Sequence, residues 1–84
     1  MRFTKTQIDA ARRYAGARCA YRRAIDRHDS IAEFGARREM LRYLAPNDRT
    51  TWCAIDRVVR TMDARLDINS TDTAMDAAGF SRAA

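Results

Sequence analysis

The chain has 84 residues, of which 46% are apolar and 32% are charged, and its formal net charge is +5. This length predicts one small domain, residues 1–84, and the apolar share excludes a typical disordered chain. Because no apolar run approaches the roughly 20 residues of a membrane-spanning helix, and the N-terminus lacks the apolar core of a secretory signal, we expect a cytoplasmic protein with no membrane partner.

The positive charge is concentrated in the first half of the chain. Residues 1–45 hold eleven Lys or Arg against five Asp or Glu, whereas residues 46–84 hold five against six. All but one of these cations are arginine. Guanidinium groups bind carboxylates and phosphates through paired hydrogen bonds, which favours a negatively charged partner. GC-rich codon usage would also enrich arginine, and composition does not separate the two causes.

Helical spacing runs through the chain, and no alternating run of β-branched and aromatic residues predicts a strand. The first helix is predicted to begin after a cap at Thr4 or Thr6 and to run to about Asp26. One side of it is apolar, from Ile8 to Ile25. The opposite side carries four arginines that we expect to be exposed, and replacing Arg12 and Arg23 by Glu is expected to leave the fold intact. These four are Arg12, Arg13, Arg23 and Arg27.

Two further arginines, Arg18 and Arg22, interrupt the apolar side of the first helix beside Tyr14 and Tyr21. Their stems could pack while the guanidinium groups reach water. They could instead pair with carboxylates of another helix, or form an interface, because Arg and Tyr are enriched at binding hot spots. We favour internal pairing, since buried charges without partners are costly. The candidate carboxylates are Asp56 and Asp63.

The second helix is predicted over about residues 31–44, ended by Pro46. Asp29 or Ser30 caps it, and Glu33 would complete a capping box with Ser30. Its spacing predicts one inner face. That face consists of Ile31, Phe34, Leu41, Leu44 and Ala45.

The third helix, predicted over about residues 49–67, has the most regular apolar stripe, so we expect it to be the central helix of the core. Asp56 and Arg60 should pair on its outer side. The stripe consists of Trp52, Ile55, Val59, Met62 and Leu66, with Val58 at its edge. On this interpretation Val59→Asp would unfold the protein.

A short fourth helix is predicted after a cap at Ser70 or Thr71, ending at Ala78. Gly79 fits the left-handed position after a helix, which would let Phe80 fold back onto Met75. The expected architecture is therefore all-α: a compact bundle of three main helices plus a short C-terminal helix.

No motif fixes a reaction. His28, Asp29 and Ser30 are adjacent in sequence and do not converge as a catalytic triad would. Cys19, Cys53 and His28 lack zinc-site spacing, and the glycines are isolated, so no phosphate loop is predicted. We expect no enzymatic activity, no metal and no cofactor, and we expect the cysteines to be small buried residues and not a disulfide.

These features predict a small non-enzymatic binding protein with an Arg-rich face and either an acidic protein surface or nucleic acid as partner. Small arginine-rich chains without catalytic motifs are common among accessory proteins of phages and mobile elements, and many of these occlude a host machine, as anti-CRISPR inhibitors do. This is the leading expectation. The candidate binding residues are Arg12, Arg13, Arg18, Arg22, Arg23, Arg27, Tyr14, Tyr21, Arg38 and Arg42.

Two alternatives remain. One is a nucleic-acid-binding or regulatory protein that uses the basic surface of the first half. Within this alternative, a helix-turn-helix formed by the second and third helices is disfavoured, because the third helix, which would enter the DNA groove, is electrically neutral. The other is a structural homo-oligomer, in particular a symmetric homodimer through the face of Arg18, Arg22, Tyr14 and Tyr21.

Overall fold

The computed structural model describes residues 2–46 and 48–80. Within them the chain forms four helices and no strand: α1 (Lys5–Asp26), α2 (Ser30–Tyr43), α3 (Arg49–Ala64) and α4 (Thr71–Ala77). Three main helices pack together and a short fourth follows them. The all-α class predicted from sequence is confirmed.

A polar side chain caps the start of every helix. At α1, Thr4 accepts from the Gln7 N–H at 3.2 Å while the Gln7 side chain accepts from the Thr4 N–H at 2.8 Å, a capping box. Of the two caps predicted for α2, Asp29 is the one present: it accepts from the Ala32 N–H at 3.0 Å, so the alternative capping box of Ser30 does not form. The other two caps are Asp48 at α3 and Ser70 at α4.

The central helix is α1, and the prediction that α3 holds this place is wrong. α1 packs against α2, α3 and α4, and of the other helices α3 and α4 also pack against each other. Small residues allow this close packing, because Ala11 and Ala15 of α1 are fully buried. Larger side chains from both long helices complete the core between them: Tyr14, Cys19, Ile55, Val58 and Met62.

The buried side of α3 is rotated from the predicted stripe. Val58, expected at the edge, is fully buried, whereas Trp52 is 39% and Leu66 68% exposed. Val59 is half-buried at the margin of the core. The buried arc follows Ala54, Val58 and Met62, one turn apart, because the small side chain of residue 54 lets α3 approach α1. α3 also ends at Ala64, three residues short of the predicted Asp67.

The predicted inner face of α2 is wrong in four of its five residues. Ile31 is 87%, Phe34 63% and Leu41 60% exposed, and Ala45 is exposed as well. None of the residues Ser30–Tyr43 is buried. α2 packs on α1 through its opposite side, where Leu44 does lie as predicted. That side consists of Ala32, Ala36, Met40, Tyr43 and Leu44.

The chain after α4 returns to the core as predicted. Gly79 adopts a φ of 89°, the Phe80 N–H donates to the Met75 carbonyl at 2.8 Å, and the Gly79 N–H donates to the Asp76 carbonyl at 3.0 Å. This pair of hydrogen bonds is a Schellman motif. Phe80 is thereby buried, with its ring centroid 5.7 Å from that of Phe3. The Arg57 guanidinium lies 5.2 Å from the Phe3 ring and 5.3 Å from the Phe80 ring.

Two glycines should respond in opposite ways to alanine. A Cβ at Gly35 would meet no atom within 4 Å, so Gly35→Ala should stabilise α2 by about 1 kcal/mol through helix propensity. Gly79→Ala should destabilise by about 1 kcal/mol, since an L side chain disfavours the left-handed φ there. Urea unfolding followed by circular dichroism measures both changes. Equal changes in the free energy of unfolding for the two variants would contradict these backbone conformations at Gly35 and Gly79.

Candidate binding surface

The Arg18 guanidinium pairs inside the molecule, as favoured from the sequence. One of its nitrogens contacts Asp63 Oδ1 of α3 at 2.5 Å, and another donates to the Tyr14 hydroxyl at 3.2 Å. Burial alone would lower the pKa of Arg18, but the hydrogen bonds with Asp63 and Tyr14 outweigh burial and raise the pKa above its ordinary value. Arg18 therefore stays charged and holds α1 against α3.

Two neighbouring arginines bind backbone carbonyls beyond α3. Arg22 donates to the Ile68 carbonyl at 3.0 Å, and Arg23 donates to the Asn69 carbonyl at 3.5 Å. The suggested pairing of Arg18 or Arg22 with Asp56 is wrong, because Asp56 accepts from Arg60 on its own helix at 2.8 Å, as the spacing within α3 predicted.

Arg12 also contacts the second half of the chain. Its guanidinium lies 3.1 Å from the Asp72 carboxylate in the first turn of α4. Both arginines thus have internal partners, and the expectation that Glu at positions 12 and 23 leaves the fold intact stays a prediction. A Glu at position 12 would face Asp72, and a Glu at position 23 would lose the bond to the Asn69 carbonyl.

The face proposed for a homodimer lies largely inside the protein. Tyr14 is 2% exposed, and Arg18, Arg22 and Tyr21 are only partly exposed. Arg18 and Arg22 hold the segment from Asp63 to Ile68 against α1. Tyr14 is thus a core residue and Arg18 and Arg22 are internal clamps, so this face does not offer a ready interface.

Seven arginines of the first half are exposed: Arg2, Arg13, Arg23, Arg27, Arg37, Arg38 and Arg42. In the part of the chain that the structure describes, only Arg42 among them forms an ion pair, at 3.6 Å to Glu39 on the same helix. Arg13 and Tyr43 line a small cavity where the first half of α1 meets the end of α2. Three of the seven belong to α2, where they lie within six residues of one another.

The exposed apolar residues of α2 form one stripe with an arginine in it. Ile31, Phe34, Arg38 and Leu41 recur at alternating steps of three and four residues, which places them on one side of the helix. We call these four residues the outer face of α2. The Arg38 guanidinium lies 6.0 Å from the centre of the Phe34 ring, within cation–π range.

An open groove runs beside the outer face. It has a volume of 640 Å³ and is lined by Gly35, Arg38, Glu39 and Arg42. The missing side chain at Gly35 makes the hollow, and Arg38 and Arg42 lie one helical turn apart along it. The groove therefore combines a cavity with two guanidinium groups at its edge.

Sequence reasoning named Arg38 and Arg42 as binding candidates, and both are exposed, but it placed Ile31, Phe34 and Leu41 in the core. The missed signal is that α2 carries apolar residues on two opposite sides. The smaller set, with Ala32 and Ala36, packs on α1 because alanines allow close approach of two helices. The larger side chains are left outside.

Both cysteines are free thiols. Cys19 is buried, and burial raises the pKa of its thiol, with Arg23, Arg22 and Arg18 opposing this rise. Cys53 is a half-buried free thiol. Among residues 2–46 and 48–80 no three His, Cys, Asp or Glu side chains gather as a metal site, and no helix there has the length and apolar character to span a membrane.

The arrangement of α2 and α3 differs from that of a helix-turn-helix. Each of the two helices packs against α1, and they make little contact with one another. We take one side of α2 with its groove, together with the exposed arginines around it, as the candidate binding surface. No protein-family model, curated protein or solved structure matches this chain.

Proposed function

We propose that this chain is a non-enzymatic binding protein that holds a negatively charged macromolecule with the exposed arginines of its first half. It acts by occluding the surface that it binds, in the manner of the inhibitors encoded by phages and mobile elements. The observation that carries the proposal is the division of the arginines. Arg12, Arg18, Arg22 and Arg23 bind within the chain, whereas three exposed arginines gather on α2.

This division supports binding because it separates the arginines that hold the fold together from those whose charge is free to contact a partner. Asp63 and Asp72 of the second half pair with arginines of α1, and these pairs neutralise part of the positive charge that the first half carries in excess. What remains exposed on α2 is three arginines against Glu33 and Glu39. An arginine that is not already paired can form charge-assisted hydrogen bonds with a partner's carboxylates or phosphates, each contributing about 1.5–3 kcal/mol.

Nucleic acid is the second candidate partner, favoured by one observation. Phe34 is 63% exposed and lies beside Arg38, and bases of single-stranded nucleic acids stack on aromatic rings and guanidinium groups. Phosphate binding would show a steep loss of affinity with salt.

A retention experiment tests the proposal. The protein is immobilised, an extract of cells that express its gene is passed over it, and the retained macromolecules are measured. The variant Arg37→Gln/Arg38→Gln and the control Arg49→Gln/Arg60→Gln remove the same charge from α2 and from α3. We expect the wild-type protein and the control to retain the same macromolecule, and the α2 variant to retain at least about tenfold less of it, because each lost contact costs 1.5 kcal/mol or more.

Nuclease treatment of the extract separates the two kinds of partner. Retention that survives the nuclease identifies a protein, and retention that it abolishes identifies nucleic acid. Melting curves of both variants should match that of the wild-type chain, since all four arginines are exposed. Equal retention by the α2 variant and the control would overturn the proposed function.

A further inference from the structure

The outer face of α2 holds three of the six large apolar side chains that the described part of the chain leaves exposed. Ile31 is 87% exposed, which is unusual for an isoleucine in a helix that packs on another helix. Three large apolar side chains on one stripe exceed the scattered single exposures that ordinary protein surfaces show. A contiguous stripe of this kind marks a site that another surface covers.

The charges around the stripe define that surface. Arg38 lies within the stripe, Arg42 borders the groove beside it, and Arg37 lies on the other border. A covering surface must therefore present apolar side chains to Ile31, Phe34 and Leu41 and carboxylates at both borders.

A second copy of the chain fits this pattern poorly. An antiparallel pairing that sets Ile31 against the second copy's Leu41 also brings the two Arg37 side chains together near the symmetry axis. Each α2 carries three Arg and two Glu, so the paired helices would repel one another. Duplex nucleic acid fits poorly as well, since Ile31 and Leu41 would face phosphates and sugars.

We propose that the outer face of α2 docks an amphipathic helix of another protein, whose apolar stripe is flanked by Asp or Glu. This inference rests on the proposed function and names the class of its partner. Carboxylates one turn apart on that helix would reach Arg38 and Arg42, and a bulky apolar side chain would enter the groove above Gly35. Its apolar stripe would cover Ile31, Phe34 and Leu41.

A synthetic three-heptad peptide serves as the probe, with Leu at positions a and d and Glu at e and g. A matched peptide carries Lys at e and g. Fluorescence anisotropy of the labelled peptides measures their binding to the full chain. We expect the Glu peptide to bind at least about tenfold more tightly than the Lys peptide, and the difference to shrink as salt is raised.

Two double variants test the apolar and the charged contacts separately. Ile31→Ser/Leu41→Ser removes the ends of the stripe, and Arg38→Gln/Arg42→Gln removes the charges at the groove; Arg49→Gln/Arg60→Gln is the control. Each test variant should lower the affinity for the Glu peptide at least about tenfold, with the control unchanged. Circular dichroism confirms folding, which exposed positions should leave intact.

Other outcomes overturn the inference. Absence of binding to the Glu peptide, or equal binding of the Lys peptide, rejects an acidic helix as partner. Sedimentation that shows a dimer abolished by Ile31→Ser/Leu41→Ser assigns the face to a second copy, and displacement of the Glu peptide by a DNA duplex assigns it to nucleic acid. If the arginine variants lose retention from extract while the serine variant does not, the proposed function stands and this inference falls.

Discussion

Val58→Asp should abolish the cooperative thermal transition of the protein. Val58 is 0% exposed and belongs to the buried core of the protein. A carboxylate forced into that place has no partner to offset its desolvation, and such a change costs more than about 4 kcal/mol. A domain of 84 residues is stable by about 4–12 kcal/mol in total, so the variant should be largely unfolded.

Val59→Asp is the matched control for this variant. Val59 is half-buried at the margin of the core, where a carboxylate can turn toward water. We expect this variant to keep a cooperative melt at a lower temperature. Circular dichroism during heating compares the two, and a native-like melt of Val58→Asp with loss of structure in Val59→Asp would reverse the assignment of the buried side of α3.

Phe80→Ala should destabilise the protein by about 3–4 kcal/mol, whereas the same substitution at Phe34 should change stability by less than about 0.5 kcal/mol. Phe80 is 5% exposed and Phe34 is 63% exposed. The first variant also loses the ring that stacks with Arg57. The second variant gains helix propensity and loses no buried contact.

Urea unfolding of both phenylalanine variants, followed by circular dichroism, gives the two free energies of unfolding. Similar losses at both positions would mean that the outer face of α2 is covered within the chain, and would contradict the proposed docking surface as well. A small loss at Phe80 would show that the segment after α4 contributes little to the core.

The helices were predictable from sequence because their determinants are local. Caps at Thr4 and Ser70 and the turn at Gly79 depend on side chains within a few residues, and each is where the spacing predicted. The pairing of Arg18 with Asp63 was one of the two pairings that the sequence suggested, since a charge within an apolar stripe needs a partner.

The packing of the helices was less predictable because it depends on shape more than on hydrophobicity. Val58 and Ala54 are buried on α3, while the larger Trp52 and Leu66 are not. Small side chains let α1 and α3 approach, and this contact determines which side of each helix is covered. The large apolar residues predict the buried side of α3 only in part, since Ile55 and Met62 are buried as predicted and Trp52 and Leu66 are not.

Sequence analysis missed the apolar part of the candidate site for the same reason. Ile31, Phe34 and Leu41 look like core residues because helical spacing identifies an apolar stripe without saying what covers it. The alanines on the opposite side of α2 carry the weaker apolar signal and yet make the contact with α1. Arginines within an apolar stripe do not by themselves distinguish such a side from a core, since Arg18 and Arg22 interrupt the buried side of α1.

The packing of α2 has a consequence for how the protein opens. Since α2 has no buried residue and rests chiefly on α1, it can detach while α1, α3 and α4 keep the buried core among themselves. It therefore forms a separate unit of local unfolding, whose amide hydrogens should exchange with solvent faster than those of α1 and α3. Isolated helices of this length are marginal in water, so a helix docked on the outer face would also slow that exchange by holding α2 in place.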